Sequence, residues 1–239
     1  MAETGHARNV ANFDTLIAFC EGYGGDYKPT NTLIEIPALQ TLLAQAQAAL
    51  DDVQAKLAPW KNKVADRENV YEGIRPLTTQ VLAAFDACGA AENKVDNMKT
   101  FQRQVHGARA KALPPDDPST PEDESKGNSV SHQSYVQVAE AFSQMIQIAQ
   151  AEPLYHPNET PLQVATLQTR LTAMETANTD VTDSAVPLSN SRIDRNDVLY
   201  DSADNLCDRA GLVKKYVKSL YGASSPQYEQ VSGLEFKRR

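Results

Sequence analysis

A chain of 239 residues with 41% hydrophobic residues and a net charge of −8 has the make-up of a folded protein. That charge argues against a general nucleic-acid binder, since holding a phosphate backbone requires a basic stripe, and against adhesion to anionic lipid. No apolar run approaches the roughly 18–20 residues of a membrane span.

The elements read off as helices throughout. Val10, Phe13, Ile17 and Cys20 predict a first helix over about 9–22, stopped by Gly22, Gly24 and Gly25. After the Tyr27–Thr32 connection, Ile36, Leu39, Leu43, Ala46, Leu50, Val53 and Leu57 follow strict 3,4 spacing, so they line one stripe of a long helix. Pro59 is expected to end it in a turn, because proline lacks the amide hydrogen a helix interior uses. Val70, Ile74, Leu77, Val81, Ala84 and Cys88 mark a third helix, with a kink or one-turn break at Gly73 and Pro76. A shorter fourth, about 92–105, presents Val95, Met98 and Phe101.

Residues 107–129 differ in kind. Leu113-Pro114-Pro115-Asp116-Asp117-Pro118 and Pro121-Glu122-Asp123-Glu124-Ser125 hold almost no apolar side chains, and such a stretch reads as an acidic, extended linker. Beyond it, Tyr135, Val138, Phe142, Met145 and Ala149 line a helix that stops before Pro153. A second seam helix runs from about 160 to 184, with Pro187 as its turn. The spacing of Leu199, Ala203, Leu206, Ala210, Val213, Val217 and Leu220 predicts one straight helix over about 191–221, capped by Gly222. Ser225-Pro226 then offers an N-cap followed by proline at the first helical position, and 234–239 form a less regular tail.

The halves resemble each other. Tyr27–Val70 and Tyr155–Val198 align at a constant offset of 128 (155 − 27), with identities that include Pro29/Pro157, Leu39/Leu167, Gln40/Gln168, Thr41/Thr169, Leu43/Leu171, Asp66/Asp194 and Arg67/Arg195. Roughly a third of the aligned positions match, which reads as an internal duplication. In the second seam Val164, Leu167, Leu171, Met174, Asn178, Val181 and Ala185 take the matching slots, and the polar Asn178 suits a register-setting role. The expectation is an all-α protein, a tandem duplication of an antiparallel helical bundle with three long helices plus a short fourth element per repeat. Its domains would be residues 1–106 and 130–239, joined by the 107–129 linker.

Motifs for chemistry are sparse. His6, His106, His132 and His156 show no ligand spacing with one another or with a carboxylate. The serines form no GxSxG elbow, and no glycine-rich phosphate loop precedes a helix. Cys20, Cys88 and Cys207 lie far apart without a CxxC pair, which suits reduced thiols. With no basic-then-apolar leader at Met1–His6, a cytoplasmic location is expected.

The candidate contacts are few: Tyr27, Trp60, Arg67, Tyr155 and Arg195. Asp66-Arg67 and Asp194-Arg195 are expected near the start of each third helix, where the aspartate suits the positive helix end and the arginine reaches a carboxylate on a neighbouring helix. An anion site around Arg67 and Arg195 is the functional alternative. Tyr27 and Tyr155 are expected to buckle the connection onto the bundle, ring inward and hydroxyl towards water. Trp60 suits either a partner contact or packing at a bundle end.

One resemblance enters late in the chain. Arg195-Asn196-Asp197-Val198-Leu199-Tyr200, then Gly211-Leu212-Val213 and Tyr216-Val217-Lys218-Ser219-Leu220-Tyr221-Gly222-Ala223-Ser224-Ser225-Pro226-Gln227-Tyr228, resembles a family of uncharacterised bacterial all-helical proteins. The resemblance implies a helical, duplicated bacterial protein and supplies no catalytic residue. The expected function is therefore non-enzymatic, with no cofactor and no metal: a structural or interaction protein that meets itself or another protein. Opposed patches, acidic Asp116–Glu124 against basic Lys214, Lys215, Lys218 and Lys237-Arg238-Arg239, would steer such contacts. The alternative is a small-molecule or anion binder using a cleft between the bundles.

Overall fold

The computed structural model describes residues 4–107 and 134–238, and every regular element among them is helical. Eight α-helices follow in order among these residues: α1 Thr4–Gly22, α2 Ile36–Tyr71, α3 Ile74–Ala87, α4 Glu92–His106, α5 Tyr135–Gln150, α6 Val164–Asn196, α7 Leu206–Tyr221 and α8 Pro226–Ser232. Of the expected 107–129 linker, only Gly107 falls within the described residues. It ends α4 with φ 69°, a left-handed angle that glycine adopts without a Cβ clash.

Neither seam helix stops at its proline. α2 continues through Pro59 and α6 through Pro187, so the turns expected there are helix interior. An interior proline costs about 3 kcal/mol through the lost hydrogen bond and the ring clash. Burial on the far side offsets this. Past Pro59 the 3,4 spacing runs on through Trp60, Val64, Arg67 and Tyr71, all buried or half-buried, and past Pro187 through Leu188, Ser191, Arg195 and Leu199, all buried. Both prolines lie on the exposed face, as do Ala55 and Asp183 four residues earlier, so water can reach the carbonyls that lost an amide partner. The Asp-Arg pairs consequently sit towards the C-terminal ends of α2 and α6, Arg195 in the last turn, rather than near a helix start.

The expected break near Gly73 is present: α2 ends at Tyr71, Gly73 takes φ 75°, and α3 begins at Ile74. The expected straight helix over 191–221 is not continuous. Asp197–Asp201 widen into a π turn in which the Ser202 amide donates to the Asp197 carbonyl (3.0 Å). The chain then turns at 202–205, and Asn205 opens α7 by accepting from the Asp208 amide (2.9 Å). Ala203, expected on the buried stripe, is exposed in this turn. Gly222 ends α7, and the Ser225 hydroxyl caps α8 by accepting from the Tyr228 amide.

Two compact units emerge, and neither follows the expected halves 1–106 and 130–239. The first joins Met1–Lys61 to Asp183–Arg239, and the second is Asn62–Thr182. In the first, Phe13, Leu16 and Cys20 of α1 share a core with Leu39 and Ala46 of α2, Leu199 and Tyr200 of the π turn, Leu206, Val213 and Val217 of α7, and Val231 of α8. In the second, Val81 and Phe85 of α3 and Val95 and Met98 of α4 meet Phe142 and Met145 of α5 and Leu167 and Met174 of α6. The boundary falls inside the two long helices, so α2 and α6 each give one part to either unit.

Inside the second unit, the end of α2 lies against the start of α6 and runs the opposite way. Lys63 pairs with Asp180 (2.8 Å), while further along Arg170 donates to the Glu72 carbonyl (2.6 Å). The seam residues of α2 and α6 are buried or half-buried and none is exposed; Leu39, Ala46, Leu167 and Met174 are fully buried. Asn178 uses its seam position to donate to the Tyr71 hydroxyl (2.8 Å).

Candidate functional site

The tyrosines of the two connections do the same job in each unit. The Tyr27 hydroxyl donates to the Ile34 carbonyl (2.8 Å) and the Tyr155 hydroxyl to the Leu162 carbonyl (2.9 Å), each clamping a short 3₁₀ turn ahead of the seam helix. Both rings are buried, so the hydroxyls expected to reach water are spent on the main chain instead. Burial raises both phenols, that of Tyr155 to about 12.

The remaining candidates are held by local partners. The Arg67 guanidinium lies 4.1 Å from the centre of the Tyr135 ring, a cation–π contact inside the second unit. In the first unit, Arg195 is 5% exposed and donates through Nε and Nη2 to Asn196 Oδ1 (3.1 and 2.9 Å). Trp60 is half-buried on α2. Each arginine is thus engaged inside its own unit.

Two of the thiols are held in the protonated form. Burial pushes Cys20 and Cys207 up to about 11 each, which keeps them protonated at neutral pH. Among the described residues, no three His, Cys, Asp or Glu side chains gather to hold a metal ion, and no helix is long and apolar enough to cross a membrane.

Two features of the surface had no counterpart in the sequence reading. The first is an open groove of about 810 Å³ in the second unit, between α3 and the 154–162 connection, lined by Gln80, Ala84, Cys88, Tyr155, His156 and Glu159. Matching the buried residues of α3 and α7 in order (Ile74/Leu206, Thr78/Ala210, Val81/Val213, Phe85/Val217) puts Tyr216 where α3 has Ala84. Tyr216 packs edge-on against Tyr27 at 5.2 Å and its hydroxyl accepts from the Lys28 amide (3.2 Å). The first unit fills with a phenol what the second leaves open.

The second feature is the stretch after α8. Residues 234–238 form no helix; Leu234 and Phe236 are half-buried while Glu235, Lys237 and Arg238 are exposed, the alternation of an extended strand. The Asn9 side chain both donates to the Lys237 carbonyl (2.8 Å) and accepts from the Lys237 amide (3.1 Å). One turn along α1, Asn12 donates to the Glu235 carbonyl (2.7 Å). From α7, Lys214 donates to the carbonyls of Ser232 (3.3 Å) and Leu234, and its ammonium lies 5.3 Å from the centre of the Phe236 ring. Phe236 meets Phe13 edge-on at 6.5 Å. Arg238 donates to the Tyr200 carbonyl (3.0 Å) and to Asp208 (2.5 Å), which holds the Asp208 carboxyl below its ordinary range. Lys214 and Arg238, expected to steer partners through an open basic patch, are therefore engaged within the chain.

The signal for this arrangement was weak. Asn9 and Asn12 interrupt the apolar face of α1 at a spacing of three, and Leu234-x-Phe236 alternates for only one step. No protein-family model, curated protein or solved structure matches the chain.

Proposed function

We propose that the chain is a non-enzymatic structural or interaction protein, built on a duplicated helical plan, that works by contact with itself or with another protein. Support for the duplication comes from the constant offset of 128, which also separates the turns at 32–34 and 160–162, the starts of α2 and α6, and the clamping tyrosines.

The observation that carries the interaction reading is on α6. Val186 and Ile193 are 54% and 57% exposed and stand one heptad apart, so they share one face of a helix already packed on its other side. An exposed pair of this kind gains by meeting a second helix, at about 25 cal/mol for each Å² of apolar surface covered. Light scattering across concentration tests it. The expected result is a mass above the 26.2 kDa of one chain that rises with concentration and falls in a Val186→Glu/Ile193→Glu variant. A single-chain mass at every concentration, with no protein recovered alongside the chain from native lysate, would remove this reading.

A second reading has its own observation, the open groove beside Ala84. Its mixed lining of apolar walls with His156, Glu159 and Gln80 suits a small amphipathic molecule. Native mass spectrometry of the purified chain separates the two, by an adduct in place of an oligomer.

A further inference from the structure

An extended segment lying on a helical core has a backbone problem that a helix does not have. Its amides and carbonyls have no internal partners, and burying them without hydrogen bonds is costly. In a sheet a neighbouring strand would supply the partners. Here side chains do, and Asn9, Asn12 and Lys214 address the main chain of the segment. Asn9 reproduces a strand neighbour, since its single amide group offers a donor and an acceptor to the main chain of one residue, Lys237. Asn12 and Lys214 reach the carbonyls of 235, 234 and 232. Asn9 is 2% exposed, and its amide also donates to the Tyr200 hydroxyl (3.0 Å), which is within 2.9 Å of His6 Nδ1. Asn9 is thus held from the helical side as well, by Tyr200, and not by the segment alone. Selectivity comes from two apolar seats, for Leu234 and Phe236, and from the Asp208 carboxylate that meets the basic residue at 238.

We propose that the groove between α1 and α7 is a receptor for an extended peptide of the pattern apolar-x-aromatic-x-basic, and that its occupant in trans is the 234–238 segment of a second copy of this chain. This rests on the interaction reading above and gives it a specific contact. The occupied groove supplies the argument for the occupant: a second copy carries the same segment, and exchange preserves every bond described. Gly222, with φ 92°, precedes Ser225-Pro226 at a point where the chain can redirect α8 and the segment together. Exchanging an identical element between copies is a low-cost route to assembly. The tether also explains why the groove is filled in a lone chain, since a linked segment acts at an effective concentration in the millimolar range.

The test uses the full chain and a fluorescent peptide with the sequence of residues 233–239. Phe236→Ala weakens the tethered segment without touching the groove, so this variant is expected to bind the peptide about tenfold more tightly than the intact chain does. Adding Asn9→Leu to Phe236→Ala should abolish binding, as should changing the peptide's own phenylalanine to alanine. Circular dichroism confirms the fold, and Leu234→Ala replaces Phe236→Ala if that variant does not fold. In a second arm, pools of intact chain labelled near Ser232 with donor or acceptor dye are mixed; energy transfer is expected in the intact chain and not in Phe236→Ala. Equal, weak binding by all variants would overturn the receptor assignment. Peptide binding without transfer, in a chain that light scattering shows to assemble, would overturn the second copy as occupant while leaving self-association standing. Peptide binding by a chain that stays monomeric would overturn both the second copy and self-association.

Discussion

The two units close their cores on the fourth side in different ways. The second uses α4, 15 residues that bring Val95, Met98 and Val105 down onto α3 and α5. The first uses the seven residues of α8, with Val231 buried, followed by the extended 234–238 segment. The walls differ to match. Aligning α1 with α5 by their buried residues (Phe13/Phe142, Leu16/Met145, Ile17/Ile146, Cys20/Ala149) pairs Asn9 with Val138 and Asn12 with Ala141. A helix satisfies its own backbone and asks only for apolar surface, so Val138 and Ala141 suffice. An extended cover demands donors and acceptors, and the same two places carry asparagine.

The common frame of this comparison breaks most visibly at the fully buried seam leucines. Leu39→Ala and Leu167→Ala should each destabilise by about 2–5 kcal/mol, the cost of emptying a packed site. Urea denaturation midpoints check this, and a large effect at one leucine with none at the other would end the equivalence. The contrast itself is sharpened by Asn9→Ala. Leaving the Lys237 amide and carbonyl without their partner should cost about 1–3 kcal/mol. Hydrogen exchange should show faster exchange at Lys237 while the α4 amides remain unchanged.

A smaller effect is expected where one unit has a filled seat and the other an open groove. Ala84→Tyr should change stability by no more than about 0.5 kcal/mol, because the added ring enters open space. Tyr216→Ala, which removes a half-buried ring from Tyr27, should cost more. Thermal melts of both variants decide it.

The smallest effect concerns pH. Arg238, and then Asn205, hold the Asp208 carboxyl below its ordinary range. A lowered folded-state pKa means that the contribution is present above the unfolded value near 3.8 and is lost as pH falls through the folded value. Both partners are more than half exposed, so the contribution is small. Acid titration should show the wild type slightly more stable than Asp208→Asn above about pH 4, with the difference disappearing below it as exchange at 237–238 in the wild type rises to that of the variant.

Much of the helical content was legible from local signals: the break at Gly73, the end at Gly222 and the Ser225-Pro226 start all rest on residues that act within a few positions of themselves. The prolines misled because a missing amide is a local cost, whereas what outweighs it is packing by distant residues. Trp60, Val64 and Tyr71 already continued the 3,4 spacing past Pro59. The break at 202–205 was hidden by the opposite accident, an unbroken spacing through Ala203, although Asn205 three residues before Asp208 carried an N-cap signal. A heptad seam says that a face is buried and not by which partner, so the sharing of helices between units lay beyond it. The α1 groove was illegible for the same reason: two asparagines on an apolar face read as solvent-facing until residue 237 is seen to lie over them.

That sharing bears on the order in which the chain can fold as it is made. The second unit is one uninterrupted stretch, Asn62–Thr182, and has all its parts once residue 182 has left the ribosome. The first needs α1, present from the outset, to wait for α7 and α8, whose contacts span some two hundred residues, as Tyr23 to Gln227 does. Closing so long a loop is slow, and the waiting helix meanwhile exposes Phe13, Leu16 and Ile17. The expected order for newly made protein is therefore the second unit first, with α1 left as an exposed apolar surface, the kind that chaperones engage, until α7 and α8 arrive. Pulse-labelled exchange during refolding should show α5 amides protected before those of α1.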